Sequence, residues 1–210
     1  MNIVREAKYF KKYCEPYGKR MDTAIEIINS GYTGNILYNT TCKQYIEFWK
    51  MLQENKDKLA KEIRIIYQVL EGRETTEEKS RFLSKKLNEH KIFQRAAAQY
   101  LLFFGMAINL DKHLQELRDL TYSVRWSNQE VEQFIQENDS YDTLFKITPS
   151  VHDNITDAKF VDMLRGLKGS LVIDYFYSPR LLEIYKDFSI IYTYDNNKID
   201  ALSMKITKGI

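Results

Sequence analysis

TCKQYIEFWKMLQENKDKLAKEIRIIYQVLEG, residues 41–72, is the stretch on which the fold class turns. Tyr45, Trp49, Leu52, Lys56, Leu59, Ile63, Ile66 and Leu70 are spaced alternately by four and three, a heptad seam with one polar member, Lys56. This pattern predicts a helix over Thr41–Glu71, closed by Gly72 as a C-terminal cap. Downstream, Thr75 and Glu78 have the spacing of a capping box. Helical periodicity then resumes through Phe82, Leu83, Leu87 and Phe93 into the apolar run 96–110. A further seam of Leu110, Leu114, Leu117, Thr121 and Val124 carries the helix to about Arg125, with a break expected near Gly105 or Asn109.

Upstream, Ile3–Cys14 reads as a helix with Val4, Tyr9, Phe10 and Tyr13 inside and lysines outside, ended by Glu15-Pro16-Tyr17-Gly18. A second helix spans Asp22–Asn29 and stops at Gly31, and Gly31–Asn35 has the turn chemistry of a loop. Ser127-Asn128-Gln129-Glu130 matches a second capping box, and Thr156 caps a helix carrying Phe160, Val161, Leu164 and Leu167. The pattern then changes. Leu171–Tyr177 is β-branched and aromatic and reads as a strand, and Ser178-Pro179 opens a short helix. Phe188–Tyr194 and Lys198–Ile206 flank Asp195-Asn196-Asn197 as a β-hairpin. The expected fold is mainly α: a helical bundle body over 1–169 and a small C-terminal β element over 170–210.

A chain of 210 residues with 44% hydrophobic and 29% charged residues can bury a core without staples. Cys14 and Cys42 form neither a disulfide framework nor a zinc pattern and are expected as reduced thiols. The start of the chain has no secretory pattern, and the run Ala96–Leu110 falls short of the ~20 apolar residues of a membrane span. A cytoplasmic protein is expected. Abundant Lys, Asn, Ile and Tyr fit an AT-rich coding genome, as in low-GC bacteria and their phages, so a virion location is the alternative.

The net charge of +2 is unevenly spread. Residues 1–20 hold six basic and two acidic groups, while residues 126–162 hold two basic and eight acidic ones. Such a chain can orient toward a charged partner or a second copy. Lys8, Lys11, Lys12, Lys19 and Arg20, interleaved with aromatics, are the candidate nucleic-acid contacts. Tyr9, Tyr13, Phe134 and Tyr141 are the candidate protein-binding residues at the two charged regions.

No catalytic constellation is complete. His113 and Glu116 share a helix face, half of a metal site with no second pair, so no metal is expected. Neither a phosphate-binding loop nor a dinucleotide fingerprint is present, so no cofactor is expected. Gly166-Leu167-Lys168-Gly169 is a bare GxxG and the better of two phosphate-cradle candidates, the other being Gly31 to Gly34. His152, beside Asp153, is a general-base candidate lacking a visible nucleophile. The reading is of a non-catalytic interaction or assembly protein, an adaptor or complex subunit. The alternatives are a nucleic-acid-binding regulator using the basic N-terminus or the C-terminal hairpin, and an enzyme with a site near His152.

Overall fold

The structure, a computed structural model, describes residues 2–18, 21–148, 155–176, 178–193 and 203–210. Its described elements in chain order are α1 (Ile3–Ala7), β1 (Lys12–Glu15), α2 (Asp22–Asn29), β2 (Asn35–Asn39), α3 (Lys43–Glu71), α4 (Thr76–Leu87), α5 (Ile92–Phe104) and α6 (Leu110–Thr121). They continue with β3 (Val124–Ser127), α7 (Val131–Asn138), β4 (Thr143–Ile147), α8 (Ala158–Gly166), β5 (Ser170–Phe176), α9 (Pro179–Ile184), β6 (Ser189–Thr193) and β7 (Ser203–Lys208).

The strands form one seven-stranded sheet in the order β3-β2-β1-β4-β5-β7-β6. Strands β1 to β5 pair in parallel, and β7 runs antiparallel to both β5 and β6. This corrects the mainly α expectation. The molecule is a mixed α/β, Rossmann-like open sheet, not an all-α bundle. The C-terminal strand, short helix and hairpin were legible, but they extend a larger sheet, and the hairpin turn at Asp195-Asn196-Asn197 lies outside the described residues.

The chain divides into two compact units, Met1–Thr41 with Val124–Ile210, and Cys42–Ser123, rather than at residue 169. The first holds the sheet. Side chains alternate across a strand, so Cys14, Phe145, Ile147, Leu171 and Ile173 share one face. They form a buried core with Phe134 and Ile135 of α7 and Phe160, Val161 and Leu164 of α8. Tyr13, Glu15, Tyr38 and Lys146 point to the opposite face, where Thr23 of α2 meets Lys146. Helices therefore cover both faces, as a parallel sheet requires.

The second unit is helical, as its periodicity predicts. The helix expected through residue 125, however, is divided a second time between α4 and α5 and ends at Thr121, with Val124 and Arg125 in β3. Within α3 the seam residues Trp49, Leu52, Leu59, Ile63, Ile66 and Leu70 are buried. The helix is broken at Asn55 (φ −143°, ψ 47°), next to Lys56, the polar exception in the seam. The Thr75 capping box is formed in full. Gly105 ends α5 with φ 67°, where only a glycine is unstrained, and Asn109 caps α6. Glu47, 7% exposed, receives a two-pronged ion pair from Arg95 at 2.6 and 2.7 Å.

Candidate functional site

Strand order reverses between β1 and β4: β1 is followed in sequence by its neighbour β2, while β4 returns to its other side. In open α/β sheets ligands bind at such a switch point, outside the carboxyl ends of the strands. A cavity of about 220 Å³ lies here, lined by Glu15, Tyr17, Met21, Asp22, Thr23, Tyr38, Lys146 and Thr148. Each lining residue comes from the end of β1, the turn after it, the start of α2, β2, or the end of β4.

The ionisable side chains of this cluster are buried or half-buried, while the cavity beside them is open to solvent and its exposed lining is mostly apolar. Tyr13 Oη donates to Glu15 Oε1 at 2.6 Å, both side chains being buried. Burial pushes the Glu15 pKa up, opposed by the Lys146 ammonium and by hydrogen bonds from Tyr13 and Tyr38. The same burial, with Glu15 beside it, drives Tyr13 far above the usual phenol range. Lys146 Nζ donates to Thr23 Oγ1 and sits 3.7 Å from Asp174 Oδ2. Lys205 Nζ lies 3.7 Å from the other oxygen of Asp174. Charges thus alternate along one face of β1, β4, β5 and β7: Glu15, Lys146, Asp174, Lys205. A carboxyl whose pKa is raised by burial beside a cleft, as that of Glu15 is, suits acid–base chemistry.

Two features of the backbone hold this end of the sheet together. Asn39, fully buried, donates to Pro16 O at 3.2 Å and Gln129 O at 3.1 Å, and accepts from Ser127 Oγ at 2.8 Å and Gln129 N at 2.9 Å. It ties together the exits of β1, β2 and β3. Met21 precedes α2 in the left-handed region (φ 62°), and among the described residues it is the sole non-glycine there. Strained backbone of this kind gathers at functional turns.

The residues singled out from sequence fall elsewhere. Lys8, Tyr9, Phe10 and Lys11 line an open groove of about 570 Å³ with Gly31–Asn35, beside the starting ends of β1 and β2. Lys11 is engaged with Asp142 at 2.8 Å, and Lys12 is half-buried within β1. Lys19, Arg20 and His152 lie outside the described residues. Tyr9 and Tyr141 are exposed, whereas Tyr13 and Phe134 are buried. The Gly166–Gly169 cradle is filled from within, because Asp139 accepts from the amides of Lys168 and Gly169. Among the described residues no three His, Cys, Asp or Glu groups are placed to hold a metal, and His113 Nδ1 bonds Tyr100 Oη at 2.7 Å.

No spacing along the chain marks Glu15, Tyr38, Lys146 and Asp174 as a site, and Glu15-Pro16 has the chemistry of a helix end. One signal was available: a residue before proline is pushed toward the extended region, where Glu15 is found. The reading as a non-catalytic adaptor or complex subunit is corrected as well. It rested on amphipathic helical seams, the opposite charge of the two halves and the absence of a polar constellation. The open sheet with a buried ionisable cluster at its switch point removes the last of these.

No helix among the described residues is long and apolar enough to cross a membrane. No family model matches the sequence, and no curated protein does. Solved structures do resemble it, among them that of the precorrin-6y C5,15-methyltransferase of Geobacter metallireducens GS-15, an enzyme, at TM-score 0.48 and 9% identity over 98% of this chain and 85% of that one.

Proposed function

We propose that this chain is an enzyme that binds a small polar ligand at the switch point of its sheet and moves a proton or a small group on it. Glu15 serves as the acid–base group and Lys146 as the anchor for negative charge. The observation that supports this most directly is the Glu15 carboxyl, buried at a cavity wall with its pKa raised by that burial. General acid–base catalysis works best when the group's pKa lies near the operating pH, and burial moves a carboxyl in that direction. Lys146 is restrained by Thr23 and Asp174, so its ammonium is already oriented before a ligand arrives.

The test is a binding screen of the full chain by thermal shift and calorimetry, using amino acids, sugar phosphates and the methyl donor S-adenosylmethionine. Methyl transfer, the activity named for the Geobacter metallireducens protein, is the first reaction to assay. A hit weakened at least tenfold by both Glu15→Gln and Lys146→Met supports the proposal. A ligand that binds equally well to wild type and both variants refutes it, as does a screen that yields no ligand.

A partner is proposed separately on the open groove of Lys8, Tyr9 and Lys11, whose positive charge and exposed ring suit a protein or nucleic acid of negative charge. Binding to a duplex oligonucleotide at ~50 mM salt, weakening as salt rises, is the expected result. Light scattering at low and high salt separates a second copy of the chain from a foreign partner.

A further inference from the structure

We infer that Tyr38 decides what the switch-point crevice admits, an inference that rests on reading that crevice as the ligand site. Tyr38 projects from β2 over the turn that follows β1. A methyl group placed on Gly18 would lie 2.2 Å from both Cδ1 and Cε1 of the Tyr38 ring. In doubly wound folds the glycines of this turn let a ligand come up against the backbone. Here a ring of the chain itself makes that approach.

Besides its hydrogen bond to Glu15, contacts on further sides hold the ring in place. Met21 N–H donates to Tyr38 Oη at 2.7 Å, using the amide of the residue in left-handed conformation. Trp126 of β3 meets the ring edge-on, with centroids 4.9 Å apart and planes inclined by 65°. Gly18 closes another side, its amide bonded to Asn39 O at 2.6 Å. Tyr38 is 1% exposed, so its ring is packed into the wall of the crevice on that side. The space left over is about 220 Å³, against roughly 300–1,000 Å³ for sites that take drug-sized ligands.

The crevice as built therefore takes a ligand of about amino-acid size beside Glu15 and Lys146. A ring-bearing ligand the size of a nucleoside fits only where Tyr38 now lies. Tyr38 is a specificity-determining residue acting by exclusion: its ring occupies the ground, and its hydroxyl takes the amide, that a larger ligand would use.

The experiment compares the full chain with Tyr38→Val, Tyr38→Ala and Tyr38→Phe, using adenosine as the ring-bearing probe. Binding is read by calorimetry and by tryptophan fluorescence in a Trp49→Phe background, which leaves Trp126 as reporter. Valine suits a strand and keeps the test alive if the alanine variant does not fold. Tyr38→Val is expected to bind adenosine at least tenfold more tightly than wild type, and Tyr38→Phe, which keeps the ring, to match wild type. Equal affinity of Tyr38→Val and wild type, including no binding by either, overturns the inference. Adding Glu15→Gln to Tyr38→Val separates the two proposals. A gain in adenosine affinity that persists, while small-ligand binding never depended on Glu15, sinks the acid–base proposal and leaves the role of Tyr38 standing. The converse, Glu15-dependent binding of a small ligand without any gain in Tyr38→Val, sinks only the role of Tyr38.

Discussion

Gly18 is where the residue scale is tightest. An added Cβ would meet the Tyr38 ring at 2.2 Å and the backbone oxygen of Asn39 at 2.8 Å, so Gly18→Ala forces both to move. Overpacking of this kind costs ~1–3 kcal/mol or more, read as a lower midpoint in urea. In a Tyr38→Val background the same change should cost less, by a coupling of ~0.5–3 kcal/mol, because the ring is gone while Asn39 remains. A strictly additive double mutant would show that the ring and the turn do not touch. Glu15 makes a second prediction, in pH. Its folded-state pKa is raised from the ordinary 4.5, so as pH climbs the unfolded chain releases this proton first. The contribution of Glu15 to stability is thus full below about 4.5 and is lost as pH rises through the raised value. Relative to Glu15→Gln, wild type should lose stability over that interval, and a pH-independent difference between the two would count against the burial of this carboxyl.

At the scale of elements the helices of residues 42–123 carry their own evidence. Ile63 is fully buried in the α3 seam, so Ile63→Ala should lower stability by ~2–5 kcal/mol in chemical unfolding. Thr75 accepts from the Glu78 amide at 3.1 Å while Glu78 returns a bond from the Thr75 amide at 3.2 Å. Losing that cap in Thr75→Ala should cost ~0.5–2 kcal/mol, with the frayed first turn of α4 visible as faster amide exchange. These elements announce themselves because one side faces water: polar residues fall between apolar ones at the helical period, and that period survives in the sequence. Strands β1, β2 and β4 have no such mark. They run for four or five residues, each face is covered, and apolar and polar side chains do not alternate across them. Lys8-Tyr9-Phe10-Lys11-Lys12-Tyr13 then looks like an amphipathic helix, although α1 stops at Ala7 and Tyr13 lies in a strand.

For the whole molecule, the order of pairing in space differs from the order in the chain. Lys12 pairs with Thr143 and Ile36 with Val124, so the sheet closes only after distant segments meet. The contacts of α3 through α6 lie within one contiguous stretch, Cys42–Ser123. Local contacts form faster than distant ones. Pulsed hydrogen exchange during refolding should therefore protect amides of α3 and α5 before those of β1 and β4. Simultaneous protection of both sets would show that the helical unit does not fold ahead of the sheet.

The sequence by itself determined the position of α2, the start of α4, the break at Gly105, and the C-terminal strand and hairpin strands, because each is governed by neighbours a few residues away: caps, turn residues and one helical period. Only the tertiary structure decided that the chain is an α/β sheet with a switch point, and that Glu15, Tyr38, Lys146 and Asp174 stand together. Those four come from four different strands, and no spacing along the chain encodes their meeting. Parallel strands are joined through crossovers, so their hydrogen-bonding partners, and the site built at their ends, are set by packing between separate segments, which for β1 and β4 lie more than a hundred residues apart.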